Sequence, residues 1–185
     1  MRSRLGGCLG ASLVIGATLV AACGRDPNTA DNSPDYDPRA ITRCEHGAND
    51  DQQTYTVQQW RACLYAARAF ADNPPVQLRY ARKSCDLGFD EGCIAYLDFV
   101  RATAARHDEA AREHVDYART IGKKLCEEGL RDFAWRELRT GEACHLAGLL
   151  FHEVAPADDE TATRMFAKGC SKGDEGSCTW MKSHP

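Results

Sequence analysis

Residues 79–93 read RYARKSCDLGFDEGC, and this stretch decides the fold. Cys85 is followed three residues later by Gly88 and eight residues later by Cys93. The phrase Cys-x-x-Gly recurs as Cys44–Gly47, Cys126–Gly129 and Cys170–Gly173, so its first cysteines stand 41, 41 and 44 residues apart. Each copy is followed by one further cysteine: Cys63, Cys93, Cys144 and Cys178 in turn. A fixed period of about 40 residues is the mark of a repeat array.

The flanking residues give each unit its form. Cys63, Ala66, Ala67 and Phe70 are spaced i, i+3, i+4, i+7, as are Cys93, Tyr96, Leu97 and Val100, and Cys144, Ala147, Gly148 and Phe151. This spacing lays one apolar stripe along a helix and puts each second cysteine at a helix N-terminus. Before the first cysteines, Pro74-Pro75, Asp108-Glu109 and Asp158-Asp159 are helix-start signals: proline suits the first turn, and acidic groups favour the positive end of the helix dipole. The first cysteine then falls in a last turn, and the glycine three residues on supplies a left-handed cap. The unit is helix, Cys-x-x-Gly, bend, cysteine, helix. No run of alternating apolar and β-branched residues suggests a strand. The predicted class is all-α, a disulfide-stapled solenoid of about four αα-hairpins over residues 40–185.

The bends differ in length. The paired cysteines are 8 apart in the second and fourth units, and 19 and 18 apart in the first and third. The longer bends carry QQTYTVQQWR and RDFAWRELRT, each with a tryptophan and no proline, and an extra helical turn or two is expected inside them. Eight cysteines allow 105 pairings, but repeats in a solenoid touch mainly their neighbours. Local, sequential pairing is favoured among these: Cys44–Cys63, Cys85–Cys93, Cys126–Cys144 and Cys170–Cys178. Loop closure assigns about 2.6 kcal/mol to each short loop and about 3.3 to each long one. Zinc knuckles place cysteines two to four residues apart, closer than any pair here, so no metal is expected.

Ten cysteines in 185 residues point to an oxidising compartment. The N-terminus agrees with this. Arg2 and Arg4 precede an uncharged apolar run from Cys8 to Ala22, the form of a signal peptide. The run ends in Val20-Ala21-Ala22-Cys23, which resembles a bacterial lipobox and implies lipidation at Cys23. The expected organisation is a signal peptide over 1–22, a tether over 23–39 rich in Pro, Asp and Asn, and the helical array over 40–185. Loss of Arg2 and Arg4 moves the formal charge from −4 to −6. An acidic chain with mean hydropathy −0.48 is a poor nucleic-acid binder. Gly24 after the lipidated cysteine implies, by analogy with lipoprotein sorting, the outer membrane.

The phrases RYARKSCDLGFDEGC and RMFAKGCSKGDEGSC resemble the Sel-one-like repeat, an αα-hairpin relative of the tetratricopeptide repeat. They look most like its cysteine-rich, secreted Hcp-type branch, in which Cys-x7-Cys bridges the hairpin. The resemblance covers residues 40–185 and is specific at Cys85/Cys93 and Cys170/Cys178; the first and third units depart from it. It implies an α-solenoid with a concave recognition surface, acting as an adaptor. It also implies a second class, β-lactam binding or hydrolysis.

Catalytic chemistry leaves little trace. Serine β-lactamases use Ser-x-x-Lys, and no serine here has lysine three residues on; Thr120-Ile-Gly-Lys123 keeps only the spacing. His145 and His152, like His107 and His114, are seven residues apart, two helical turns, too far to share an ion on a straight helix. All four are expected at the surface or at repeat edges. No catalytic, cofactor or metal residue is assigned. Trp60, Trp135 and Trp180, with Tyr65, Tyr96 and Tyr117, either line a recognition groove or fill the core. Trp60 and Trp135 are the candidates for recognition. The expected function is a lipid-anchored envelope module that binds a protein or peptide.

Overall fold

The computed structural model describes residues 39–47, 52–130 and 136–184. The expected signal peptide, Cys23, the tether up to residue 38 and Trp135 lie outside them. The chain divides into two units, Met1–Asp31 and Asn32–Pro185, and all described residues belong to the second.

Among the described residues eight α-helices follow in order: α1 (Arg39–His46), α2 (Gln52–Ala69), α3 (Pro74–Asp86), α4 (Asp90–Ala104), α5 (Arg112–Glu128), α6 (Arg136–Glu153), α7 (Asp159–Ser171) and α8 (Glu175–Ser183). One 3-10 turn, Glu109–Ala111, leads into α5. There is no strand among the described residues.

The predicted start and stop signals act as expected. Pro74 and Pro75 open α3, where Asn73 Oδ1 accepts from Val76 N at 3.5 Å. Asp158 Oδ1 accepts from Thr161 N at 3.0 Å to cap α7, and Asp174 Oδ1 accepts from Ser177 N at 2.6 Å to cap α8. Side-chain oxygens at these positions satisfy amides that the helix leaves unpaired. Gly47, Gly88, Gly129 and Gly173 all take the positive φ, between 73° and 87°, that the fourfold phrase calls for, but Gly129, with ψ at 168°, is not in the left-handed helical conformation.

All four cysteine pairs are bonded as expected, with Cα–Cα separations of 4.2–4.6 Å. The first cysteine of each pair lies in the last turn of α1, α3, α5 or α7. The second cysteines divide into two kinds. Cys93 and Cys178 fall in the first turns of α4 and α8, as predicted. Cys63 and Cys144 do not; they sit well inside α2 and α6. In both long bends the following helix begins well ahead of the cysteine, α2 at Gln52 and α6 at Arg136.

Successive helices pack on one another, and α2 also meets α4, α4 meets α6, and α6 meets α8. These four therefore lie side by side as a row, with α5 meeting α7 beyond them. Leu78, Tyr96, Leu97, Val100, Leu150 and Phe166 are fully buried. Full burial of each such side chain stabilises the fold by about 1.5–3 kcal/mol. One apolar cluster runs from Cys44 to Leu150, and a smaller one joins Cys126, Cys144, Ala147 and Met165. The first three bridges are thus part of the core, whereas Cys170 and Cys178 are only half-buried.

Close helix crossings beside two bridges need a small residue. A Cβ on Gly92 would stand 2.7 Å from the Ser84 carbonyl oxygen, so α4 crosses α3 with no room for one. The α7–α8 crossing uses the same pair reversed: Gly169 precedes Cys170 and faces Ser177, which precedes Cys178.

Candidate functional site

The row α2, α4, α6 leaves one helical face of each turned to a shared groove. On α4 the stripe Cys93, Tyr96, Leu97, Val100 is buried. A second stripe at helical spacing, Glu91, Ile94, Ala95, Asp98 and Phe99, lines a cavity of about 470 Å³. Leu64 and Arg68 come to it from α2, and Arg139, Glu142 and Leu146 from α6. A smaller cavity of about 230 Å³ adjoins it and shares Leu64, Arg68 and Glu91; Trp60, Arg61 and Tyr65 complete its lining.

The floor is apolar. Leu64, Ile94 and Leu146 are buried, Ile94 and Leu146 belong to the main apolar cluster, and Phe99 packs against it. Charges of both signs stand around it. Arg139 Nη1 pairs with Glu142 Oε2 at 2.8 Å, and Asp98 Oδ1 pairs with Arg101 at 3.4 Å. Arg68 and Glu91, common to both cavities, form no ion pair among the described residues. The groove thus sets charges of both signs over an apolar floor that is almost fully buried.

The tryptophan candidates resolve unequally. Trp60 is 3% exposed, stacks on Phe89 with centroids 5.2 Å apart, and carries the Arg61 guanidinium 5.3 Å from its ring centre. Its indole is packing material at the end of the groove, and the exposed aromatic ring on this face is Tyr65, at 39%. The signal was present in the sequence, because Trp60, Leu64 and Arg68 share one face of α2. What sequence could not tell was which of the two adjacent rings points outward. Trp135 lies outside the described residues. Trp180 stacks on the buried Phe166 at 4.1 Å.

The histidines do not all behave as surface groups. His107 is exposed, with φ at 56°. His114, expected at the surface or at an edge, is instead 6% exposed: it follows the 3-10 turn and faces α4, where the Tyr96 hydroxyl lies 2.9 Å from its Nδ1. Burial pushes the His114 pKa below its usual value and the Tyr96 pKa well above its own. His145 sits beside Ser177 and Asp174, its Nδ1 at 3.3 and 3.4 Å. His152 Nδ1 lies 2.8 Å from Asp159 Oδ1. Thr120 and Lys123 are committed separately: the threonine hydroxyl donates to Asp116 O at 2.9 Å, and the lysine pairs with Glu127 at 3.9 Å.

A third cavity, about 250 Å³, lies beside the Cys85–Cys93 bridge. There Tyr117 donates to Asp86 Oδ1 at 2.5 Å, and Arg82 lies 4.3 Å from the tyrosine ring centre. Burial, with the hydrogen bond to Asp86, pushes the Tyr117 phenol up to about 12. These groups satisfy one another and tie α3 to α5.

Among the described residues no three of His, Cys, Asp and Glu come together as a metal-binding group, and no helix is long and apolar enough to cross a membrane. No family model, curated protein or solved structure matches the chain.

Proposed function

We propose that the chain is a lipid-anchored cell-envelope recognition module, built as an array of four Sel-one-like αα-hairpins, whose groove across α2, α4 and α6 binds an extended peptide segment of an envelope protein. The carrying observation is that groove: an apolar floor of Leu64, Ile94 and Leu146 beneath charges of both signs. Arg68 and Glu91, without ion pairs among the described residues, favour a segment with acidic and basic side chains close together. The pairing of α2 with α4, α4 with α6 and α6 with α8 is what a stacked hairpin array requires. The lipobox-like Val20–Cys23 and Gly24 support a lipid anchor in the outer membrane.

Filling the groove tests this reading. Ala95, half-buried on the groove stripe of α4, is replaced by tryptophan, and a photo-crosslinking side chain is placed at Tyr65 in a second variant. Crosslinking in intact envelopes to one defined protein, lost on Ala95→Trp with the fold retained, is the expected result. Crosslinks that Ala95→Trp leaves unchanged would remove the groove from the function. Cys23→Ala is expected to release the protein from the membrane fraction. The β-lactam reading predicts turnover of a chromogenic cephalosporin, and the recognition reading predicts none.

A further inference from the structure

At the far end of the row, three elements bring two imidazoles together. His152 closes α6, Asp159 opens α7, and His184 follows α8. The two histidine rings have centroids 5.7 Å apart. Trp180 holds both: His184 stacks on it at 4.3 Å, and His152 meets it edge-on at 5.5 Å. Trp180 is itself fixed on Phe166, so the pair rests on the core although both rings reach solvent.

Hydrogen bonding sets the same tautomer in each ring. A carboxylate only accepts, so the 2.8 Å contact to Asp159 places the proton of His152 on Nδ1. A carbonyl only accepts, so the 3.0 Å contact of His184 Nδ1 with Trp180 O places that proton on Nδ1 too. Both Nε2 atoms then carry a free lone pair, and neither is hydrogen-bonded among the described residues. A carboxylate or carbonyl on one nitrogen that leaves the other basic is the outer-shell arrangement of metal-binding histidines. With metal–nitrogen bonds of about 2.1 Å, two imidazoles on one ion through Nε2 have centroids about 5–6.5 Å apart, a range that includes the observed spacing.

We propose that His152 and His184 form a two-imidazole site for a divalent transition-metal ion of the zinc and copper class, with Asp159 as its positioning residue and water in the remaining positions. Imidazole nitrogen selects these ions over magnesium and calcium. The eight described cysteines are all in disulfides, so none of them competes as thiolate. The site is independent of the groove across α2, α4 and α6 and of the function assigned to it.

The test is calorimetric titration of Cu²⁺ and, separately, Zn²⁺ into the full chain, purified in detergent with its disulfides intact. One equivalent of each ion is expected to bind, copper more tightly. His152→Gln and His184→Gln are each expected to weaken binding at least tenfold, and Asp159→Ala by about tenfold, within the 10–100-fold usual for outer-shell partners. Truncation after Ser183 should match His184→Gln. His107→Asn, at an exposed histidine elsewhere, should bind as the parent does. Circular dichroism confirms that each variant is folded. Loss on substituting only one of the two histidines, or binding no weaker in the double variant than in the parent, would overturn the site.

Discussion

Arg119 on α5 reaches across to α6 and donates to the backbone oxygen of Leu150 through both Nε and Nη2, at 3.2 and 3.1 Å. The same Nη2 donates to the carbonyls of Val154 and Pro156. One buried side chain thereby caps the end of α6 and holds the connection to α7. Its charge is met by oxygen dipoles at a helix C-terminus, where a cation is favoured, while burial lowers its pKa from the usual arginine value.

Arg119→Met keeps much of the volume but leaves those carbonyls short of donors. A cost of about 2–4 kcal/mol is expected, from about 1–3 kcal/mol for each buried group left unsatisfied. Urea unfolding measures it. Arg119→Lys should recover less than half, because a point charge lacks the planar fork that reaches several acceptors.

Gly92 and Ser84 make a second relationship open to test. Gly92→Ser puts a Cβ against the Ser84 backbone and should cost about 1–3 kcal/mol by overpacking. Ser84→Gly loses the 2.9 Å hydrogen bond to Trp60 O and should cost about 1–2 kcal/mol. The double variant reproduces the order found at Gly169 and Ser177, and its cost should fall below the sum by about 1 kcal/mol or more. Strict additivity would show that the crossing is not limited by these two residues.

The Cys126–Cys144 bridge lies inside the core, so its removal is felt twice. Cys126→Ala with Cys144→Ala is expected to cost about 2–5 kcal/mol, measured by thermal unfolding. Alkylation of the unreduced protein should find no free thiol among the eight bridged cysteines, and full reduction should lower the melting temperature sharply.

His114 and Glu45 make stability depend on pH in separate windows. Burial holds the His114 pKa below the ordinary 6.5. The unfolded chain therefore takes up a proton first, and stability present above 6.5 is lost as pH falls through the lower, folded value. The Glu45 carboxylate accepts from the Tyr80 hydroxyl at 2.6 Å, which with Arg79 holds it below the ordinary 4.5. Its contribution is present above 4.5 and lost as pH falls through the folded value. Tyr80→Phe should raise the Glu45 pKa toward 4.5 and flatten the acid limb, read by carboxylate NMR and by unfolding against pH.

Much of this molecule could be read in one dimension. The period of the Cys-x-x-Gly phrase, the glycine caps, the proline and aspartate starts, and the bridge pairing all follow from local rules acting within about 20 residues, where chain connectivity leaves few alternatives. The long bends were harder. With no proline to stop them, α2 and α6 begin well before Cys63 and Cys144, because a helix already nucleated extends at little cost. Two adjacent aromatics, Trp60 and Tyr65, lay on neighbouring faces of one helix, and only the position of α3 and α4 decided which was covered.

Sequence by itself determined an all-helical chain stapled at four bends. Tertiary structure alone decided which residues meet across the bends. It buried His114 against Tyr96, turned Arg119 onto α6, lined one groove from α2, α4 and α6, and set His152 beside His184, 32 residues away. The physical reason is range: caps and bridges depend on neighbours along the chain, whereas a groove or a pair of imidazoles depends on how one helix is rotated against another. That rotation is settled by close packing of the whole core.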